Sequence, residues 1–544
     1  MRFTEKKIVS YLLIVAMIFL YSMNTIAQTR IAILYSGYTE KFSDKFSPKI
    51  IDQITLWELF LMQEKIPYSV INDQDLEAGI TDDYDILILP SVNAISEKEK
   101  NSMKEFLNDG NSILSLGSKL TLDEKGMFYA TNNLNDLFGI ECEEFKGEEL
   151  SIFHHINFIP SFNNQDSLTG SLLISTKFKP QISNILSNSS TLGYVKINKY
   201  KIFQTSMSYG KSNNGKFVWM GFNFDDVIGG KNDSQKFKKL ILNSLKWLDK
   251  EPDLWIKNFP DSKNSATVIF IENNYGLKPD LIDRLNKEGI EPYLLFSPEQ
   301  KINEEIVSRF KEENYILDLS NVLNKQGDSE QKILDELIKA NKKLNLSIKT
   351  VLISDSLINN RKTLNSLNET GINVFLFPTN SPGLPSMIDN KFFMIPYYST
   401  ERNNYDVGGV NFITYHSRVS CDDSSADDFI ENISEAKMSE SWVTNLQTLN
   451  TWWMKNTNIS FSFTLDEDYS ANLIVSNNNW EDVNNIDLIF NWPYKFNLDQ
   501  LSVKSGNDII NYSVDNNGEI NIKLDKIASH QTKRINIIFN REQY

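Results

Sequence analysis

The sequence predicts a multidomain α/β protein: a doubly wound α/β sheet, then a (β/α) barrel, then a small β-sandwich. Three observations carry this. Between residues 30 and 116, short apolar runs alternate with stretches of helical period. From 265 to 455 the alternation resumes, with about seven strand repeats at roughly 20–35 residue spacing. From 459 to 544 no helical period remains, and turn signals separate short alternating or apolar runs.

Residues 1–27 read as a signal peptide. Arg2, Lys6 and Lys7 are basic, Ile8–Leu20 is almost wholly apolar, and Thr25-Ile26-Ala27 ends in a small residue. The apolar run is too short to cross a hydrocarbon core of ~30 Å comfortably, so an uncleaved anchor is the weaker alternative. No later stretch is long and apolar enough to span, so no membrane span is expected after cleavage. The expected location is periplasmic or extracellular. Net charge is −16, and −18 without residues 1–27. An acidic surface repels phosphate backbones and argues against nucleic acid as a partner. Cys142 and Cys421 are too few and too far apart for a disulfide framework or a zinc pattern; they are either two separate thiols or one long-range pair.

The first unit, 28–250, opens with a strand at Arg30–Tyr35 and a helix marked by Ile50, Ile54, Trp57 and Leu61. Strands follow at Pro67–Ile71 and Asp85–Pro90, the latter apolar on both faces as a buried parallel strand must be. Ser96 and Glu99 make a capping box for the next helix, Gly110 stops it, and Ser112–Leu116 is the fourth strand. This order suits a flavodoxin-like sheet. Residues 151–224 are strand-rich, and an amphipathic helix at Ser234–Leu248 turns Phe237, Leu240, Ile241, Leu245 and Leu248 inward. Residues 251–264, with Pro252 and Pro260, read as a linker.

The middle unit, 265–455, has strands expected at Thr267–Ile271, Pro292–Phe296, Ile316–Leu319, Thr350–Ile353, Val374–Phe377, Phe392–Pro396 and Asn411–Tyr415, with Gly289 and Gly371 ending helices. A second open α/β sheet is the competing reading. The last unit, 456–544, has strands expected at Ser460–Leu465, Ala471–Ser476, Ile486–Trp492, Leu501–Lys504, Ile509–Ser513, Ile520–Leu524 and Arg534–Phe539.

Few residues carry obvious chemistry. Of four histidines, His154 and His155 are neighbours on a strand, where period two sends them to opposite faces. His416 would end the last barrel strand, where barrel chemistry occurs, and His530 falls in a strand-to-strand loop. Ser118, after the fourth strand, lacks the small flanking residue that a nucleophile elbow needs, since Leu120 stands there. Asp422, Asp423, Asp427 and Asp428 suit either calcium or, better, the first turn of a helix capped by Ser424 or Ser425. Trp442, Trp452 and Trp453 suit packing, or stacking on sugar rings.

Trp255, Pro260 and Ser265–Glu272 resemble the entry of bacterial polysaccharide deacetylases. Gly289–Phe296 looks like the second strand of that barrel, Gly371–Val374 like its helix-then-glycine turn, and Asn411–Ser417 like its final strand with a terminal histidine. The resemblance implies a metal-dependent deacetylase barrel, but the family's functional positions are altered. Its paired aspartates fall on Ile271 and Glu272, followed by Asn273 and Asn274; its two metal-binding histidines fall on Leu319 and Leu323. Its Arg-x-Pro motif has no match in Ser354-Asp355-Ser356-Leu357. Leucine has no lone pair for zinc, and that chemistry needs metal-activated water. No metal and no cofactor are therefore expected. The first unit resembles the class I glutamine-amidotransferase-like domain without its catalytic Cys, through Tyr84–Pro90, Ser96–Gly110 and Ser112–Gly117.

The expected function is a secreted envelope protein that binds polysaccharide through an inactive barrel. Asn273, Asn274 and Asp355 are its expected binding residues. One alternative is an active carbohydrate deacetylase, a hydrolase of C–N bonds, using Glu272, Asp318 and His416 as catalytic residues. The other is a scaffold with envelope proteins as partners.

Overall fold

The computed structural model describes residues 30–539, except 43–48, 81–82, 131–132, 145–151, 158–170, 178–179, 187–188, 197–202, 229–230, 250–251, 273–276, 278, 300–303, 312, 321–329, 345–347, 354–360, 389–390, 401–407, 417–422, 440, 467–469, 493–497, 499–500 and 516–517. The expected signal peptide, Asn273, Asn274, Leu323, Asp355, Cys421 and Asp422 lie outside the described residues.

The first unit is a multistranded sheet with two characters. Strands β1 (Ile31–Tyr35), β2 (Tyr68–Asn72), β3 (Ile86–Pro90) and β4 (Ser112–Leu116) pair in parallel in the order β2-β1-β3-β4. Both faces of β3 are buried, which explains its unbroken Ile-Leu-Ile-Leu run. The helix Glu97–Asn108 starts with the expected capping box: Ser96 Oγ accepts from Glu99 N at 3.2 Å, and Glu99 accepts from Ser96 N at 2.7 Å. Gly110 ends it at φ +79°.

The sheet then continues, which a purely doubly wound reading omits. Strands β5 (Ile140–Glu144), β6 (Ile152–Asn157), β7 (Ser171–Thr176), β8 (Gln181–Ile185), β9 (Ser189–Lys196), β10 (Phe203–Ser212), β11 (Gly215–Met220) and β12 (Val227–Ile228) extend it beyond β4. β11 pairs parallel to β4; the remaining pairs are antiparallel. Cys142 on β5 is a free thiol against the core, and burial pushes its pKa up. The helix Lys231–Leu248 buries all five apolar residues expected to face inward.

Residues 251–264 are more than a linker. Strand β13 (Asp253–Ile256) pairs antiparallel with β26 (Val483–Asn491) of the last unit. Its Leu-Trp-Ile core is buried, and that burial overrides the loop signal of the flanking prolines.

In the middle unit every expected strand is present: β14 (Ser265–Glu272), β15 (Tyr293–Phe296), β16 (Tyr315–Asp318), β17 (Thr350–Leu352), β18 (Val374–Pro378), β20 (Phe392–Tyr397) and β22 (Gly409–His416). The hairpin strand β19 (Ser386–Ile388) pairs with β20. Parallel pairing runs from β14 to β20. The chain passes from β20 directly into β21 (Ser399–Thr400), β21 pairs with β22, and β22 pairs with β14. The sheet order is thus β19-β20-β18-β17-β16-β15-β14-β22-β21, a half-barrel. The helix after β22 begins at Asp423, one residue before the expected caps, so Ser424 and Ser425 lie in its first turn. Asp427 there binds Arg284 at 2.8 Å.

Two antiparallel sheets form the last unit. One joins β13, β26, β30 (Glu519–Ile527) and β29 (Tyr512–Val514); the other joins β24 (Ile459–Asp466), β25 (Ser470–Asn477), β31 (Thr532–Ile538), β27 (Ser502–Ser505) and β28 (Asp508–Ile509). The strand expected over Ile509–Ser513 divides between the sheets at buried Ile510.

The units are packed together. The helix Leu446–Thr457 places Trp453 in the core shared by the barrel and the first unit, and Trp452 in the sandwich core. Residues 379–385, after β18, fill the seam between barrel and first unit. Thr191, Thr205 and Ser381 share hydroxyl bonds of 2.5–3.1 Å, and Asn380 accepts from Thr205 N at 2.9 Å. Among the described residues, no helix is long and apolar enough to cross a membrane.

Candidate functional sites at the strand ends

Period two sorts the barrel strands into an inner and an outer face. Ala266, Val268 and Phe270 of β14 share a core with Tyr293, Leu295, Ile316, Leu352, Phe393 and Phe412. Ile269 and Ile271 instead share one with Leu294, Leu317 and the helices outside. Glu272 and Asp318 continue the inner series at the C-terminal ends of β14 and β16. Beneath them is an aromatic layer. Phe270 lies 4.9 Å from Phe412, 5.5 Å from Tyr397 and 6.0 Å from Tyr293, centroid to centroid.

The carboxyl of Asp318 accepts from Ser320 N at 2.8 Å and Ser320 Oγ at 2.5 Å. Its pKa is raised, first by burial, against the lowering effect of those bonds, with the charge of Glu272 adding to the rise. The charge of Glu272 thus reaches Asp318 across the mouth. His416 stands beside Glu272 as its register partner on β22. The structure thus brings the three expected catalytic residues to one end of the barrel. Leu319, at an expected histidine position, is fully buried in the outer core with Ile271.

Ser118 is a structural residue. It is buried, its hydroxyl donates to Leu89 O at 2.8 Å, and it accepts from Val92 N at 2.9 Å. Ser118→Ala deprives the buried Val92 N–H of its acceptor. It is expected to destabilise the chain by about 1–3 kcal/mol in urea titration.

A second carboxyl cluster, at the C-terminal edge of the parallel sheet, escaped the sequence reading. Asp73 opens the helix after β2, and Glu99 is the fully buried capping-box acid. Asp73 accepts from Tyr38 N at 3.1 Å, and Glu77 accepts from Ser96 Oγ at 2.6 Å and Tyr38 OH at 3.2 Å. Burial first, then Asp73 and Glu77, push Glu99 up to about 9; burial also raises Asp73. Glu99 therefore holds its proton more tightly than an ordinary carboxyl. Asp73's place just past a parallel strand was the available signal, because ligand crevices lie there in open α/β sheets. Among the described residues, no group of three or more His, Cys, Asp or Glu side chains is arranged to hold a metal ion.

No family model and no curated protein matches the chain. Several solved structures are similar in part. One is a catalytic mutant of the GH42 β-galactosidase Gan42B from G. stearothermophilus, with 15% identity, TM-score 0.31, and coverage of 42% of this chain and 31% of that one. Another is a β-galactosidase from Bacillus circulans sp. alkalophilus, at 12%, 0.32, 42% and 33%. A putative ThuA-like protein from Bacteroides uniformis ATCC 8492 gives 10%, 0.29, 41% and 94%. The chain spans about a third of the length of these two β-galactosidases.

Proposed function

We propose that this is a secreted envelope protein that binds a polysaccharide in the mouth of a degenerate deacetylase-like barrel, without metal-dependent hydrolysis. The observation that carries the reading is the inward carboxyl pair, Glu272 and Asp318, above the aromatic layer of Phe270, Tyr397 and Phe412. Carboxyls accept hydrogen bonds from sugar hydroxyls, and the layer below, with Phe270 and Phe412 fully buried, gives the mouth an apolar floor. The aliphatic Ile271 and Leu319, both turned into the outer core, support the loss of metal chemistry. The amidotransferase-like first unit, the glycan partner and export across the inner membrane belong to the same reading.

The test is a glycan array with acetylated and deacetylated oligosaccharides. Glu272→Gln with Asp318→Asn is expected to weaken the strongest signal by roughly tenfold or more, with no acetate released by the parent protein. Absence of glycan binding overturns the proposal.

One observation favours a second reading, an active C–N hydrolase. Asp318, whose pKa burial raises, shares the mouth with Glu272, and His416 is the register partner of Glu272. Acetate release that is lost in Asp318→Asn decides for it.

A further inference from the structure

The far end of the barrel carries a groove of its own. Strand β23 (Ser441–Val443) pairs with Ser265–Thr267, at the start of β14. Glu272 lies at the other end of that strand, roughly 20 Å away at about 3.3 Å per residue. Between β23, the helix Leu446–Thr457 and the sandwich is a cavity of about 410 Å³. Its lining includes Trp442, Trp452, Gln447, Thr451, Asn484 and Asn485. The volume is within the range of small-ligand sites, about 300–1,000 Å³.

Its chemistry is neutral. The charged groups on the lining are engaged: Lys455 with Glu481 at 2.6 Å, Asp482 with Lys526 at 2.5 Å, and Asp261 with Lys523 at 3.4 Å. What remains is indole surface, hydroxyl and amide. Trp442 and Trp452 meet edge to face at 6.4 Å, and Trp452 Nε1 donates to Asn258 O at 2.9 Å, which fixes its ring.

Two further observations point to a ligand. Asn485 lies within β26 at φ +55°, a left-handed conformation foreign to a strand, while its neighbours Asn484 and Ile486 keep their antiparallel partners. Such strain persists where the surroundings enforce it, and it concentrates at binding sites. Trp480, on the loop that leads to Asp482 and Asn485, is 87% exposed, and His530 braces its ring edge to face at 4.5 Å. Its indole face is open to solvent on the loop beside the groove.

We infer that this groove binds a neutral saccharide chain, with Asn484 and Asn485 bonding ring hydroxyls and Trp480 as an outer stacking platform. The site is independent of the mouth, so the two proposals stand or fall separately.

The test titrates the mature chain with cellohexaose, mannohexaose, xylohexaose and maltohexaose by calorimetry. At least one is expected to bind. Trp480→Ala and Asn485→Gly are each expected to weaken it by roughly tenfold. Trp480→Ala should leave the melting temperature unchanged. Asn485→Gly keeps the left-handed backbone accessible, so its melting temperature should hold. Binding should survive in Glu272→Gln with Asp318→Asn. The inference is overturned if none of the four sugars binds at millimolar concentration. It is equally overturned if both groove variants bind like the parent, or if Trp480→Ala changes only the oligomeric state.

Discussion

Gly409→Ala is expected to destabilise the chain by about 3 kcal/mol or more, a large effect for a single methyl group. Gly409 begins β22 at φ +127°, and a Cβ there would lie 2.7 Å from Gly383 N and 2.9 Å from Gly383 Cα and C. Those are backbone atoms of the seam loop, whose Asn380 and Ser381 are held on the other side by Thr191 and Thr205. Neither strand nor loop can yield without parting the barrel from the first unit. Gly383→Ala should be comparably damaging, because its Cβ would lie 1.9 Å from the hydroxyl of fully buried Tyr194. The two effects will not add, since the residues touch. Gly506→Ala is the control. Its φ is +62°, but nothing lies within 4 Å, so a cost of about 1 kcal/mol is expected. Guanidinium titration followed by tryptophan fluorescence measures all three; a Gly409→Ala as stable as Gly506→Ala would sink the account of the seam.

Glu99→Gln is expected to stabilise the first unit at alkaline pH and to do little at pH 4. The folded state raises Glu99 from an ordinary 4.5 to about 9. An acid raised in this way contributes its full stability below about 4.5 and loses it progressively as pH climbs toward 9. Glutamine removes that loss. Its carbonyl still accepts from Ser96 N, so the capping box survives, and its amide can donate to the Asp73 carboxylate. The melting temperature at pH 8 should rise by about 2–4 °C per kcal/mol recovered. Thermal melts of both proteins from pH 4 to 9 provide the check. Parallel curves across that range would mean that Glu99 carries no unusual proton.

Much of the architecture is legible in the order of residues. Unbroken runs such as Ile86–Pro90 and Ser265–Glu272 announce parallel strands, because both faces are buried. The capping box at Ser96 and the stop at Gly110 fall where local hydrogen bonding dictates. Local rules failed where a segment answers to a distant partner. Asp253–Ile256 looks like linker beside its prolines, yet it becomes a strand because β26, more than 200 positions later, offers it an open edge. The same logic hid the Glu99 cluster: local pattern assigns Glu99 a capping role, and its burial in the packed unit, with the approach of Asp73 and Glu77, raises its proton affinity.

Sequence alone determined the order of the three units, the strands of the barrel, and the placement of Glu272, Asp318 and His416 at strand ends. Period two and strand length are local properties, so a single chain suffices to read them. Tertiary structure decided that β21 pairs with β22 at the end of the sheet, that the charge of Glu272 reaches Asp318, and that Trp442 and Asn485 line one cavity. Those facts depend on distances between segments far apart in the chain, and no local pattern encodes such distances until the chain has packed.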